Sequence, residues 1–402
     1  MSKANKDGRY TFVDVHRSLA ILLAICAHAV NSWGIATGLE DVEFALIRTI
    51  TRAANPSFIF MFGMMLEIVY ARKIKQNGIN SVAPRLVQRG FQCYLGYVLT
   101  FIAAFIVGSR DLWTTLQGFF FIFGPPHGGV LRFYTVALVV AVGLLAVRHK
   151  FGLRAVMLLC LSLWGLQPVE SWLSQIHLGR FNSVRAFFLS DFPLNMTFVA
   201  AGMYIGNALR LKESHVAYAF HRRAAVILAV TGGIAALLVF RSSLGEVYGS
   251  YLDFYGYRVD NHIGYYSIGL MQACLLSVML YHLIPVSAKW LRSSSLLMSF
   301  GRSSLLSFTL GNILLIALHG HMNVGAYIGL ALLPVYALIV LLLVVGIERS
   351  TAFLKGSPLS SQVNRIGRFP GAYVVGRTTH ILLYLLKRIS FSLQSKKELA
   401  DS

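Results

Sequence analysis

The first apolar run of the chain contains an unusual set of ionisable residues. Asp14, His16, Arg17 and His28 lie within the stretch DVHRSLAILLAICAH, and ionisable groups inside membrane-spanning helices are costly and default to functional candidates. Arg17 and His28 are eleven residues apart, which returns a helix to within about 20° of the same face. Asp14 shares that face one turn before Arg17 and can pair with it. His16 points about 100° away, so we expect it at the membrane interface.

A histidine at position 28 can act as a general base toward a hydroxyl, because the ordinary pKa of histidine is near neutral. It can equally be a neutral side chain that bonds a neighbouring helix. Arg17 and Asp14 can likewise form a salt-bridged or snorkelling helix end. The axial offset between Arg17 and His28 is about 16 Å, which places one at the cytoplasmic lip and the other deep in the membrane. Spacing alone leaves these alternatives open.

Two further groups on the cytoplasmic side can take part in binding. Arg85 and Arg89 are one turn apart at the start of the third apolar run and can bind the phosphates of coenzyme A. They can also be ordinary cytoplasmic anchors of the helix. Glu67 is a carboxylate near the inner end of the second run, and we expect it to form a structural pair with Arg17 or Arg302.

On the outer side, the tract YLDFYGYRVDNHIGYY (251–266) is rich in tyrosine and charge. Tyr255, Arg258, Asp260 and His262 are candidate sugar-binding residues, although an interfacial aromatic belt has the same composition. The turn GPPHGG (124–129) presents His127 as a second candidate for acceptor binding. A turn with an incidental histidine is the alternative.

The elements that position these residues are membrane-spanning helices. The chain has 402 residues, of which 56% are hydrophobic and 13% charged, whereas soluble domains carry about 25% charged residues. Apolar runs of roughly 18–25 residues recur along the length, each able to cross a ~30 Å hydrocarbon core. The sequence therefore predicts an all-α polytopic protein with about ten spans. They lie near 15–35, 54–71, 86–108, 130–147, 153–168, 191–209, 224–240, 264–285, 298–319 and 324–347.

The distribution of charge predicts the orientation. Most of the 36 Lys and Arg residues fall in connections that a ten-helix arrangement assigns to the cytoplasm, as the positive-inside rule requires. Both termini are then cytoplasmic, and the first run is a retained helix rather than a signal peptide. Because the net charge of +20 is explained by orientation, we expect no nucleic-acid partner.

Two segments are predicted not to span. Residues 112–124 are apolar but short and end at Gly124-Pro125-Pro126, which cannot continue a helix, so they form a re-entrant or interfacial piece. We expect one transmembrane domain, 1–348, followed by a basic cytoplasmic tail, 349–402. Within the tail, Arg377 to Leu393 predicts an amphipathic helix on the anionic inner leaflet. The cysteines are scattered through apolar runs, and no spacing of ligands predicts a metal site.

Several motifs resemble the acyltransferase-3 superfamily of membrane acyltransferases. Arg17 and His28 match its R-x10-H signature. The segments at 58–78, 130–152, 192–206 and FGRSSLLSF at 300–308 are similar, in order, to conserved helices of its OpgC type. Three positions depart from the pattern. Phe62-Gly63 stands for Ser-Gly, Ser18 replaces the usual Gly after Arg17, and Gly311 stands where a late histidine is common, with Asn312 beside it able to substitute in hydrogen bonding.

The resemblance implies an acyl group, succinyl or acetyl, taken from cytoplasmic acyl-CoA and transferred to a hydroxyl of an extracytoplasmic glycan. His28 is then the catalytic base and Arg17 a donor-side residue. Asp14, which can pair with Arg17, is predicted to belong to the same catalytic set. No permanently bound cofactor is implied, and the location is the bacterial inner membrane. No carboxylate on the first helix can reach His28, so the group that orients it must come from another helix. The alternatives are a secondary transporter and a non-catalytic subunit of a polysaccharide assembly complex.

Overall fold

The computed structural model describes residues 10–35, 38–125, 127–176, 179–211, 213–253, 256–284, 296–318, 325–355, 377–381 and 384. Within these ranges the chain is helical and contains no strand. Eight of the helical stretches in this part of the chain are long and apolar enough to cross a membrane. The prediction of an all-α polytopic membrane protein is therefore confirmed.

The helices follow one another with short connections. In the first half they are α1 (Thr11–Ser32), α2 (Asp41–Arg52), α3 (Ala54–Met65), a π-helix (Leu66–Ala71), α4 (Arg72–Asn77), α5 (Ala83–Ile106), α6 (Leu112–Phe119) and α7 (Gly129–Ser162). In the second half they are α8 (Leu166–Ser174), α9 (Asn182–Ala186), a π-helix (Phe187–Asp191), α10 (Phe192–Ala208), α11 (Glu213–Arg241), α12 (Leu244–Leu252), α13 (Ile263–Leu283), α14 (Leu296–Arg302), α15 (Ser304–Leu318) and α16 (Ala326–Lys355). Three-residue 3-10 turns lie at Ile79–Ser81, Leu163–Gly165 and Gly179–Phe181.

Where the structure describes them, all ten predicted segments fall on helix, and the count differs at two places. The predicted spans 130–147 and 153–168 lie in one helical stretch, Gly129–Ser174. Gly152 interrupts it with φ 88° and ψ 177°, a conformation that glycine adopts readily. The predicted span 298–319 corresponds to two shorter helices, α14 and α15. The apolar run there is real, but it is divided near Arg302.

The short apolar segment after α5 does not span. Its helix, α6, has eight residues, about 12 Å at 1.5 Å per residue. Asp111 caps it by accepting a hydrogen bond from the Thr114 amide at 2.6 Å. The Tyr97 hydroxyl holds its end by donating to the Gly118 carbonyl oxygen at 2.8 Å. The segment is thus a short piece folded back against α5, as predicted.

Helix α1 is the centre of the bundle, because it packs against α2, α3, α13, α14, α15 and α16. Close approach to α14 is possible because Gly301 lies directly against Ser18, the residue that replaces the glycine usual after Arg17. On α15, a Cβ at Gly311 would lie 2.7 Å from Ile25 Cγ2. A histidine at that position would not fit this packing, which gives the departure at Gly311 a steric basis.

A second tight crossing joins α3 and α10. A Cβ at Gly63 would overlap the Val199 carbonyl oxygen, and one at Gly202 would overlap the Phe60 carbonyl oxygen. Small residues of this kind let helix backbones touch within a membrane. The contact fixes α3 against α10. Glu67 lies on the π-helix that continues α3.

The hydrogen-bond and salt-bridge partners of Glu67 correct one prediction. Glu67 lies on the π-helix after α3 and is fully buried. It pairs with Arg148 through two hydrogen bonds, at 2.9 and 2.8 Å, with Arg210, and with the Asn207 amide at 2.9 Å. The expected partners Arg17 and Arg302 are therefore wrong, although the pair is structural as expected. The sequence could not show this because the partners come from α7, α10 and the turn after α10.

His16 is also placed differently from the prediction. It is fully buried rather than interfacial, and its Nδ1 lies 3.0 Å from the Ser277 hydroxyl of α13. The prediction counted only the angle between residues on α1. It did not include α13, which covers that side of the helix.

Most of the predicted tail lies outside the described residues. Residues 377–381 of the predicted amphipathic helix are helical. Helix α16 continues to Lys355, past the predicted domain boundary at 348. The division into a membrane domain and a cytoplasmic tail stays a prediction.

Candidate functional site

His28 lies on α1, more than halfway along the helix, and is held by a residue from another helix. Its Nδ1 is 2.7 Å from the Asn312 Oδ1 of α15. Asn312 is fully buried. An amide oxygen can only accept, so this contact assigns the proton to Nδ1 and leaves the Nε2 lone pair available. A neutral imidazole in this tautomer is poised to take a proton from a substrate.

The other half of the Asn312 side chain is a buried donor. Its Nδ2 has no hydrogen-bond partner among the described residues. Burying an amide without a partner costs free energy, so such a group next to a candidate base suggests a ligand that completes it. Gly128 lies close to this donor, since a Cβ built there would be 3.7 Å from Nδ2.

His127 lies beside His28 on the turn that precedes α7. The two imidazole rings stack with centroids 5.2 Å apart and planes inclined at 28°. His127 Nε2 lies 3.0 Å from the Ser32 hydroxyl, one turn beyond His28 on α1. His127 therefore lies against His28, which places a residue predicted to bind the acceptor next to the predicted base.

A cavity of about 1050 Å³ opens among the residues predicted to be cytoplasmic. This is at the upper end of the range for small-molecule sites. Its polar lining combines one carboxylate with a group of cationic side chains. These are Asp14, Arg17, Arg72, Lys73, Arg85, Arg89 and Arg302. The structure thus brings together all of the residues predicted to face the donor.

The inner end of the same cavity is aromatic and reaches the neighbourhood of His28. Phe58, Tyr134 and Phe308 line it, and the Tyr134 hydroxyl donates to the Phe58 carbonyl oxygen at 2.8 Å. Phe308 then packs edge-on against His28, with ring centroids 5.7 Å apart. Phe308 thus lines the cavity and also touches the candidate base.

The predicted sugar-binding residues of the tract 251–266 differ in exposure and in their contacts. His262 caps α13 by accepting a hydrogen bond from the Gly264 amide at 3.1 Å, and it stacks on Tyr257 with centroids 4.2 Å apart. Arg258 is exposed and acts electrostatically on His28. Asp260 is also exposed. Tyr255 lies outside the described residues.

Sequence reasoning missed the outer helix α2 and its two arginines. Arg48 and Arg52 are each only 7% exposed, and the Arg48 Nη1 donates to the Asn31 Oδ1 at 2.9 Å. A signal was present, because charged and apolar residues alternate with helical spacing in DVEFALIRTITR. The stretch was passed over because its hydrophobicity is too low for a span.

The site has no arrangement suited to a metal ion. Across the described ranges, no group of three or more His, Cys, Asp or Glu side chains is placed to bind one. The chemistry that the residues offer is acid–base chemistry at His28, with an amide donor beside it and cationic groups on the donor side.

Comparison with known proteins gives one match. A family model described as heparan-alpha-glucosaminide N-acetyltransferase, catalytic, matches residues 9–242, which is more than half of the 402-residue chain. The matched range includes Arg17, His28, Arg85, Arg89 and His127. Neither a curated protein nor a solved structure matches the chain.

Proposed function

The chain belongs to the heparan-alpha-glucosaminide N-acetyltransferase catalytic family, and from that membership we propose that it is a membrane-embedded acyltransferase using cytoplasmic acyl-CoA. The acyl group, acetyl or succinyl, is transferred to a hydroxyl of an extracytoplasmic glycan, with His28 as the general base. The single observation that carries the proposal is the contact between His28 and Asn312, which Phe308 connects to a cavity lined by cationic side chains. Family membership favours an enzyme over a transporter or an assembly subunit.

The proposal for binding of the acyl donor is based on the positive charges that line the cavity. Coenzyme A carries several phosphates, and guanidinium groups bind phosphates through paired hydrogen bonds. Arg85 and Arg89 are exposed at the cavity mouth, where they can bind these phosphates without the cost of burial. Arg17 and Asp14 lie further along α1, toward His28. The pantetheine arm then follows the aromatic inner end, and the thioester carbonyl arrives beside Phe308.

The proposed activation of the acceptor hydroxyl depends on the His28 imidazole. His28 Nε2 removes the proton from the acceptor hydroxyl as its oxygen bonds to the thioester carbon. The carbonyl oxygen becomes an oxyanion, which the Asn312 Nδ2–H group is placed to stabilise. Collapse of the intermediate breaks the carbon–sulfur bond. The departing coenzyme A thiolate takes the proton from the His28 imidazolium, and the base is regenerated.

The identity of the acyl group and of the acceptor atom also belongs to the proposal. The family description names an acetyl group and a glucosaminide nitrogen for the enzyme that it describes, which supports acetyl as the transferred group here. The resemblance to OpgC-type proteins supports a hydroxyl acceptor and an inner-membrane location. The same base and donor serve an amine acceptor, so the bond formed distinguishes the two: an ester is cleaved by mild alkali and an amide is not.

The test compares extracytoplasmic glycans from cells that carry wild-type protein, no protein or His28→Ala. Mass spectrometry should show an acyl mass that disappears in the deletion and in His28→Ala. His215→Ala, which alters an exposed histidine of α11, is the matched control and should retain the mass. Identical acylation in all strains, with normal membrane levels of each variant, would remove the acyltransferase from consideration.

A further inference from the structure

Arg48 and Arg52 form a buried cationic pair on α2, which packs against the helix that carries His28. They are one turn apart on α2, and each is more than nine-tenths buried. Arg48 bonds to Asn31, which lies one turn beyond His28 on α1. Arg52 donates to the backbone carbonyl oxygens of Leu252 and Asp253. Arg48 is therefore held against the end of the helix that carries the base.

Neither guanidinium is fully bonded. The Nε atoms of Arg48 and Arg52 are buried and have no hydrogen-bond partner among the residues that the structure describes. In the same part of the chain, neither arginine forms a salt bridge. A buried cation without a close counter-charge is costly. Two such cations one turn apart also repel each other.

Arg258 adds a third positive charge to this position. Its guanidinium acts electrostatically on Arg48, on Arg52 and on His28. Arg258 is exposed on the outer loop, and it forms no hydrogen bond or salt bridge with the residues in the described ranges. The carboxylate that acts on Arg48 is that of Asp253, which is itself exposed. Within the described residues, none of the three arginines forms a salt bridge.

Orientation in the membrane does not account for these arginines. The positive-inside rule draws Lys and Arg to cytoplasmic connections, whereas α2 and the loop at 256–262 are on the predicted outer side. The donor phosphates are also served elsewhere, by the cationic cavity at the other end of α1. An anionic group that arrives from outside is what remains to balance the three charges.

We propose that Arg48, Arg52 and Arg258 bind an anionic group of the acceptor, such as a carboxylate, sulfate or phosphate, and hold its nucleophile over His28. The inference rests on the proposed function and deepens it by naming the class of acceptor. Guanidinium groups suit this role because their planar forks match the oxygens of such anions. Arg258 receives the anion at the surface, and the unbonded Nε groups of the buried pair complete its coordination.

The experiment uses the full chain in lipid nanodiscs with methyl β-glucuronide and methyl β-glucoside as a matched acidic and neutral pair. Binding is measured by saturation-transfer NMR on His28→Ala protein, which needs no turnover. Transfer is measured as thiol release from acetyl-CoA by the wild-type enzyme. Acetyl-CoA has a neutral acyl group, so any preference for an anion then belongs to the acceptor.

The expected result is binding of the glucuronide and not of the glucoside. Arg258→Gln should weaken that binding at least ~10-fold, the size expected for losing a hydrogen bond to a charged group. In transfer, Arg258→Gln should raise KM for the glucuronide and leave kcat within a few-fold. Arg241→Gln, an exposed arginine at the end of α11, is the control and should change neither. Because Arg258 is exposed, its replacement should not disturb folding.

Three outcomes separate the two proposals. Equal binding and transfer of both sugars, unaffected by Arg258→Gln, would overturn the inference while transfer itself supports the acyltransferase. A preference for succinyl-CoA over acetyl-CoA that Arg258→Gln removes, with no preference between the two sugars, would assign the arginines to the acyl group and also overturn it. Arg258-dependent binding of the glucuronide without any transfer would support the anion site and count against the proposed function.

Discussion

Replacement of Asn312 by leucine is the sharpest single test of the catalytic geometry. Leucine has the same number and branching of side-chain heavy atoms as asparagine and suits a fully buried position, so the helix packing should survive. The change removes two groups at once: the Oδ1 that lies 2.7 Å from His28 Nδ1, and the unpartnered Nδ2 donor. We expect the first loss to release the imidazole from its tautomer and the second to remove the stabilisation of the oxyanion.

The size of the effect follows from these two contributions. A neutral hydrogen bond contributes about 1 kcal/mol net, and removal of one oxyanion donor costs about 3 kcal/mol. Their sum, about 4 kcal/mol, corresponds to a ~10³-fold fall in rate at 1.36 kcal/mol per tenfold. The fall should appear in kcat with little change in KM for acyl-CoA, because Asn312 does not line the cationic cavity proposed to bind the phosphates.

The assay is thiol release from acyl-CoA by protein in nanodiscs, with ligand-induced thermal stabilisation by coenzyme A as the check on folding. Asn312→Asp separates the two roles. It keeps an oxygen toward His28 but replaces the donor by a second oxygen, so it should also be slow if the oxyanion role is real. Near-normal turnover by Asn312→Asp would restrict Asn312 to orienting His28. A leucine variant within threefold of wild type would refute the reasoning as a whole.

Three other perturbations have defined outcomes. Glu67→Gln leaves Arg148 and Arg210 without their buried counter-charge and should lower the free energy of unfolding by about 3–5 kcal/mol; an unchanged thermal midpoint would show that the cluster is not stabilising. Gly202→Ala places a methyl group into the Phe60 carbonyl oxygen and should abolish a monodisperse peak in size-exclusion chromatography, whereas Gly143→Ala, with open space around it, should not. Arg89→Gln should raise KM for acyl-CoA but not for acyl-pantetheine, which lacks the nucleotide phosphates; an equal rise for both would place the phosphates elsewhere.

The sequence predicts the fold class because hydrophobic run length is a local property. Each apolar run that forms a spanning helix can be recognised without knowledge of its neighbours. Helix α2 was missed because it is not apolar enough to be recognised in this way, and its stability depends on what it packs against. Gly152 is another case. Its positive φ divides a long helical stretch, and the sequence shows only a glycine between two apolar runs.

The site was predictable in part. Residues on one helix could be related by angle, so Arg17 and His28 were assigned to one face and Asn312 was named as a hydrogen-bonding residue near the missing histidine. Contacts between helices could not be derived in this way. The predicted cytoplasmic connections contain several arginines that could pair with Glu67, and only the crossing of α3 with α10 decides among them. Arg48 and Arg52 have no periodic signal that connects them to His28.

The environment of Glu67 also has a consequence for how the protein is made. Its partner Arg148 is synthesised 81 residues later, and Arg210 is synthesised 143 residues later. At ~5–20 residues per second, the carboxylate waits roughly 7–30 s before its second arginine leaves the ribosome. During that interval α3 cannot settle in lipid with an unpaired charge at low cost. The nascent segment must therefore stay at the translocon or keep Glu67 at the cytoplasmic interface until α7 and α10 arrive, which makes insertion of the first half of the bundle a delayed and collective event.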